Sequence, residues 1–304
     1  MIEIKDLCLT LGENQVLKNI DLKVEKGSVY GFLGSNGAGK STLMRCICGV
    51  YKPTSGSVMI DGEEVYDNAD AKAKVFFVND ETVQYTSFTL KQLKDYYKSY
   101  YTDFSEETFE RLLARVQLPL DKKLSSFSKG MKRQAIVIIA LACKTKYLIL
   151  DEAFDGLDPA MRMAVKNMIT DEICDRDAAV IVSSHNITEI SEICDSAMMI
   201  YSGSLLFSDE LDSITGGFSK LQLVFKGKVP DEERIKAAIP GILKVSTSGS
   251  IVQIIAAASE DAVLEQAKAL DPEITEAIPL TLEEVFIYEM EARGYAGFFS
   301  ENEE

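Results

Sequence analysis

Apolar and polar residues alternate through Ile2, Ile4, Leu7 and Leu9, and again from Val16 to Val24. A period of two predicts two half-buried strands there. Ser28 to Leu33 then reads as a buried strand, followed by the glycine-bearing segment Gly34 to Gly39 and a helix through Leu43, Ile47 and Val50. Pro53 to Gly56 predicts a turn, Ser57 to Ile60 a short strand, and Asp61-Gly62 a second turn.

From about Leu90 the period lengthens. Leu90, Leu93, Tyr96, Tyr97 and Tyr100 share one helical face, and Phe109, Leu112, Leu113 and Val116 continue the pattern after a break. Another helix is expected from Lys129 to Cys143, with Ile136, Ile139 and Ala140 inward. Tyr147 to Leu150 and Ala178 to Ser183 are apolar, β-branched runs without alternation, as in strands buried on both faces of a parallel sheet. An amphipathic helix, Ala160 to Cys174, lies between them. Residues 1–215 therefore read as an α/β domain with a helical insertion at about 86–143.

Gly216-Gly217 marks the expected boundary of a second domain, residues 216–304. Its elements follow the order strand, helix, strand, strand, helix, strand, which predicts a small α+β sandwich of ferredoxin-like type. A last helix opens at Thr281, where Thr281 and Glu284 have capping-box spacing.

Charge narrows the function. The 304 residues carry 32 basic and 48 acidic side chains, a net charge of -16. A nucleic-acid binder neutralises phosphates with a basic face, so this balance argues against one. The tail from residue 220 holds 8 basic and 16 acidic side chains, and is no tether for lipid headgroups or nucleic acid. No run approaches the roughly 18 apolar residues needed to cross a bilayer, and no signal peptide is expected, because the amino terminus reads as a strand. Cys8, Cys46, Cys48, Cys143, Cys174 and Cys194 form no CxxC pair and are expected as buried, reduced thiols in a cytoplasmic protein. A single histidine, His185, excludes a multi-histidine metal site.

Gly34-Ser35-Asn36-Gly37-Ala38-Gly39-Lys40-Ser41-Thr42 fits GxxxxGK[ST] between a strand and a helix. Glycines let such a loop wrap a polyphosphate with backbone N–H groups, and the helix behind it adds the positive end of its dipole. Lys40 can reach the β- and γ-phosphates of ATP, and the Ser41 hydroxyl can ligate Mg²⁺. Asp151 and Glu152 follow the buried run Tyr147–Leu150, at the strand end where open α/β sheets bind ligands. Asp151 is expected to hold Mg²⁺ and Glu152 to take a proton from the attacking water.

Further motifs single out one family. Phe127-Ser128-Lys129-Gly130-Met131 opens a helix upstream of Asp151 and resembles the ABC (ATP-binding cassette) signature, LSGGQ, in the FSKGM variant of some bacterial exporters. Asp155-Gly156-Leu157-Asp158-Pro159 resembles the family's D-loop, and Ser183-Ser184-His185 its switch histidine. The resemblance covers about residues 1–214. It implies an ATP-hydrolysing subunit on the cytoplasmic face of a membrane, paired head to tail with a twin or sister cassette and driving transmembrane permease subunits. Ser128, Lys129, Gly130 and Met131 would then face the partner's ATP. Thr281-Leu282-Glu283-Glu284-Val285-Phe286 resembles the TLEEVF-like extension of exporters, including those that expel antimicrobial or amphipathic peptides. The second domain is expected to support dimerisation or regulation.

Two positions depart from the family pattern. Asp80 stands near the place of the usual glutamine, as a possible further Mg²⁺ ligand, and Leu11-Gly12 replaces the aromatic that stacks on adenine. Such stacking contributes roughly 1–3 kcal/mol, so weak base selectivity is expected. An alternative is a non-transport or regulatory cassette that binds ATP with little turnover. A translation factor would need two cassettes and a basic linker, and a chromosome ATPase a long coiled-coil insertion.

Overall fold

The computed structural model describes residues 1–79, 85–174 and 176–292. Contacts divide the chain into two units, residues 1–208 and 209–304.

The first unit opens with strands β1 (Ile2–Leu11) and β2 (Asn14–Val24), followed by β3 (Val29–Leu33) and helix α1 (Lys40–Ile47). Next come β4 (Ser55–Ile60), the two-residue β5 (Glu63–Glu64), α2 (Ala69–Ala73) and β6 (Val75–Val78). β2, β1, β4 and β5 form an antiparallel sheet in that order. Its alternating positions Ile2, Ile4, Leu17 and Ile20 are buried, as their spacing predicts.

Helices α3 (Leu90–Tyr100), α4 (Glu106–Val116) and α5 (Lys129–Ala142) make the insertion. Thr89 begins α3 with a capping box closed by Gln92, and Ser105 caps α4. α5 is buried along nearly its whole length, well beyond Ile136, Ile139 and Ala140. The tyrosines divide. Tyr97 and Tyr101 pack on Phe76 at ring distances of 5.1 and 5.3 Å, whereas Tyr96 and Tyr100 join each other and Tyr100 is 66% exposed.

The chain continues through β7 (Tyr147–Leu150), α6 (Pro159–Cys174), β8 (Ala179–Ser183), α7 (Ile187–Ser191), β9 (Ser196–Tyr201) and β10 (Ser204–Glu210). A second sheet runs β10-β9-β3-β8-β7-β6, with β9, β3, β8, β7 and β6 parallel. Every residue of β7 and β8 is buried, the pattern of strands covered on both faces. One core joins both sheets through Leu43, Met44 and Ile47 of α1, which meet Phe32, Ile149, Ile181 and Met198. Burying each such side chain contributes roughly 1.5–3 kcal/mol. Cys46, Cys143 and Cys194 are buried thiols, while Cys8 and Cys48 are only half-buried.

In the second unit, α8 (Leu211–Gly216) precedes β11 (Ser219–Val224), α9 (Glu232–Ala238), β12 (Ile242–Ser248), β13 (Ile251–Ala256), α10 (Glu260–Ala267), β14 (Ile274–Ala277) and α11 (Leu282–Ala292). The sheet order β12-β13-β11-β14, antiparallel throughout, is the ferredoxin-like arrangement. Leu221, Leu223, Val252 and Ile254 meet Ile235, Ile239 and Val263 in its core. The capping box at Thr281 is formed. Glu284 N–H donates to the Thr281 hydroxyl at 3.2 Å, and Thr281 N–H to the Glu284 carboxylate at 3.0 Å.

Candidate nucleotide-binding site

The loop after β3 has the conformation its glycines permit. Gly34, Gly37 and Gly39 have φ of 150°, 81° and 113°. A Cβ on Gly34 would lie 2.4 Å from the Ile200 carbonyl oxygen, so the turn admits no side chain there. Gly37 faces open space, and Ser35, Asn36 and Gly37 are exposed at the rim. Ala38 and Gly39 are buried beneath, and Gly39 caps α1. Lys40 is 4% exposed and donates to the carbonyls of Gly34 (2.6 Å) and Ser35 (3.1 Å). Burial lowers its pKa, against the pull of the nearby charges of Glu152, Asp151 and Asp155. A cation held on main-chain carbonyls beside helix N–H groups suits an anionic guest.

Three segments converge under the loop. The Asp151 main chain is fixed by its N–H to the Val78 carbonyl, 2.8 Å. Its Oδ1 accepts from the Ser41 hydroxyl at 3.0 Å and from the Ser183 hydroxyl at 2.6 Å. Ser183 is fully buried and also accepts the Glu152 N–H at 2.9 Å. Glu152 has φ of 47°, an uncommon backbone state for a long side chain. Its carbonyl accepts from Arg133 Nη2 at 3.4 Å, tying the acid to α5. Burial raises the Glu152 pKa, as do the charges of Asp155 and Asp151, while Lys40 and His185 oppose the shift. A carboxyl with a raised pKa is suited to accepting a proton.

The other motifs assemble beside this centre. Ser128 caps α5, its hydroxyl accepting the Met131 N–H at 3.1 Å. A Cβ on Gly130 would lie 2.9 Å from Met161 Sδ and 3.4 Å from Leu157 Cδ2. Lys129 lies across Gly156, where a Cβ would meet its Cδ at 2.9 Å. Residues 128–131 thus pack on residues 156–161. Among the described residues no hydrogen bond links residues 128–131 to residues 34–42. Asp158 is exposed and accepts the Met161 N–H at 2.9 Å, capping α6. His185 is half exposed, with Nδ1 4.0 Å from Asp155 Oδ1. Thr42 lies in the first turn of α1. Asp80, expected as a Mg²⁺ ligand, falls outside the described residues.

The ABC transporter family profile matches residues 17–155. The lantibiotic transport ATP-binding protein SrtF of Streptococcus pyogenes is 32% identical over 238 residues, spanning 77% of this chain and 100% of that protein. This chain belongs to the ABC transporter family of ATP-binding proteins. As an ABC ATPase it binds and hydrolyses ATP for a transporter. ABC transporter ATP-binding protein YtrB of Bacillus subtilis (strain 168) is 29% identical over 287 residues, 94% of this ABC ATPase and 97% of its own length. A solved ATP-binding subunit of an ABC transporter superposes with a TM-score of 0.65 at 28% identity, over 70% of this chain and 91% of its own.

Loop 34–42, Asp151 and Glu152 lie together as their spacing predicts, and Ser183, to which the motifs assign no role of its own, joins them. A polar residue ending a wholly apolar strand was the signal.

Proposed function

We propose that this ABC ATPase powers an exporter from the cytoplasmic face of a membrane, as one of a head-to-tail pair. The polyphosphate of ATP lies in loop 34–42, with Lys40 on its terminal phosphates. Ser128, Lys129, Gly130 and Met131 face the ATP held by the partner. Glu152 accepts a proton from the attacking water, and His185 acts at the γ-phosphate. The Ser41–Asp151 hydrogen bond carries this reading, because it joins two oxygen donors 110 residues apart directly beneath the phosphate loop.

Oxygen donors of this kind fit Mg²⁺. Among the described residues no three carboxylate, imidazole or thiolate groups converge on a metal site. Ser41 and Asp151 would therefore share the cation with the phosphates, where it would neutralise developing charge. In the test, Glu152→Gln retains ATP binding, loses turnover and accumulates a dimer with ATP. Full hydrolysis by that variant would refute the role of Glu152.

No helix among the described residues is long and apolar enough to cross a membrane, so the reading requires separate permease subunits. Export of antimicrobial or amphipathic peptides is supported by the likeness to SrtF. It is supported too by the bacitracin transport ATP-binding protein BcrA of Bacillus licheniformis, 30% identical over 209 residues, 68% of this chain and 68% of that protein. Deleting the chain should sensitise its host to such peptides, and capture from detergent extracts should bring a polytopic membrane protein with it. Unchanged sensitivity across a peptide panel would exclude this cargo class. The second unit supports dimerisation or regulation, and removing it should weaken pairing or change the rate of hydrolysis.

A further inference from the structure

A half-buried ionic link joins two loops that the motifs treat as separate. Arg162, in the first turns of α6, extends Nη1 to Glu189 Oε1 at 3.1 Å and Nη2 to the Leu157 carbonyl at 3.5 Å. The Glu189 carboxylate is nearly sealed from solvent. Its other oxygen accepts the hydroxyl of Ser184, at 2.7 Å. Ser184 is 2% exposed and in turn accepts the Asn186 N–H at 2.9 Å. The Asn186 N–H beyond His185 is thus linked through the Ser184 hydroxyl to one carboxylate, and that carboxylate is paired with a guanidinium bonded to the loop at 155–158. Lys166 and Glu192 add a second ion pair between α6 and the residue that follows α7. An open groove of about 560 Å³, lined by Arg162, Lys166, Glu189 and Glu192 among others, runs along the seam between these helices.

A buried carboxylate with one partner removed leaves an uncompensated charge, which disfavours any arrangement that separates Arg162 from Glu189. We propose that Arg162 and Glu189 are positioning residues, a strut through which the loop at 155–158 and the His185 loop move together. The inference rests on the paired arrangement proposed above, in which the first loop adjoins the signature facing the partner's ATP and the second serves the chain's own. The strut then couples the two ATP sites, so that occupancy of one sets His185 in the other.

The test compares full-length Arg162→Met, Glu189→Gln and the double variant. Each single change should lower kcat by roughly 10- to 100-fold, the scale of a small misplacement of a catalytic group. KM for ATP should hold, and the Hill coefficient for ATP should fall towards about 1. The double variant should be no worse than the worse single one, as for residues acting as a unit. A kcat within about twofold of wild type, losses that multiply in the double variant, or a change confined to KM would each overturn the strut. Glu189→Gln is close to isosteric and stands in if Arg162→Met does not fold. Hydrogen exchange separates the strut from the assigned function. Arg162→Met should speed amide exchange at residues 184–189, on the far loop, whether or not ATP is turned over, and a change limited to residues 155–162 would sink the strut. A wild-type protein that shows this coupling yet hydrolyses no ATP would refute the function and leave the strut standing.

Discussion

Ser183 gives its hydroxyl proton to Asp151 at 2.6 Å and takes the backbone N–H of Glu152 at 2.9 Å. One buried hydroxyl therefore sets two consecutive acids, one by its side chain and one by its main chain. Ser183→Ala removes both bonds and leaves a buried N–H unsatisfied, a cost of about 1–3 kcal/mol. Turnover should fall by roughly tenfold or more, while ATP binding, measured by fluorescence titration, stays close to wild type. Wild-type turnover would show that Ser183 sets neither acid.

Glu152→Gln carries a second consequence besides lost turnover. Because burial and then the Asp155 charge raise its pKa, the folded chain favours the protonated carboxyl. That contribution to stability is present below the unfolded pKa and is lost as pH rises through the shifted value. Wherever it is ionised, the side chain is a net cost to the folded state. The variant should therefore melt higher than wild type at pH 7, with the difference vanishing in acid, while kcat falls by about 10²–10⁴. Melting curves across pH check the sign.

The same shift predicts the acid limb of the reaction. Activity requires ionised Glu152, so the limb of kcat/KM should lie above the ordinary carboxylate range. Asp155→Asn removes the second cause of the shift and should move the limb to lower pH. A limb that stays in place would exclude Glu152 as the titrating group.

Glu172 on α6 is a stability residue. Its side chain is 1% exposed and accepts from Lys144 at 2.6 Å and from Arg111 of α4. Burial opposes its ionisation, but the bonds from Lys144 and Arg111 outweigh this and lower its pKa. The stabilisation is present above the unfolded pKa and lost as pH falls through the folded one. Glu172→Gln should cost about 2–3 kcal/mol at neutral pH, less than a fully buried pair because Arg111 is 41% exposed. Denaturant titration should show the loss shrinking in acid.

The legible parts of this fold were those fixed by local constraints. Glycines 34, 37 and 39 announce the phosphate loop because their φ values exclude other residues. Tyr147–Leu150 and Ala179–Ser183 announce buried strands by carrying no polar face until their ends. β9 and β10 went unread, although β9 pairs with β3 beside the loop and Gly34 is wedged against its Ile200. The strut from Leu157 to Ser184 was equally hidden, since Arg162 and Glu189 look like surface charges until α6 and α7 are packed together. The tyrosines of α3 misled in part. Their common helical face holds both the inward Tyr97 and the exposed Tyr100, because the core ends partway along that face. The expected boundary at Gly216 followed composition, whereas contacts divide the chain after Ser208, with α8 packed on α11.

Because β3 lies between β8 and β9, the strand that carries the phosphate loop is flanked on both sides by late-made sequence. A ribosome-bound chain halted before residue 179 has already produced Lys40, Asp151 and Glu152, yet lacks the neighbours that hold β3 in the sheet and the hydroxyl that sets the acids. Nucleotide can favour the folded form only after β8 and β9 have left the exit tunnel, so ATP selects only chains that already carry both neighbours of the loop-bearing strand.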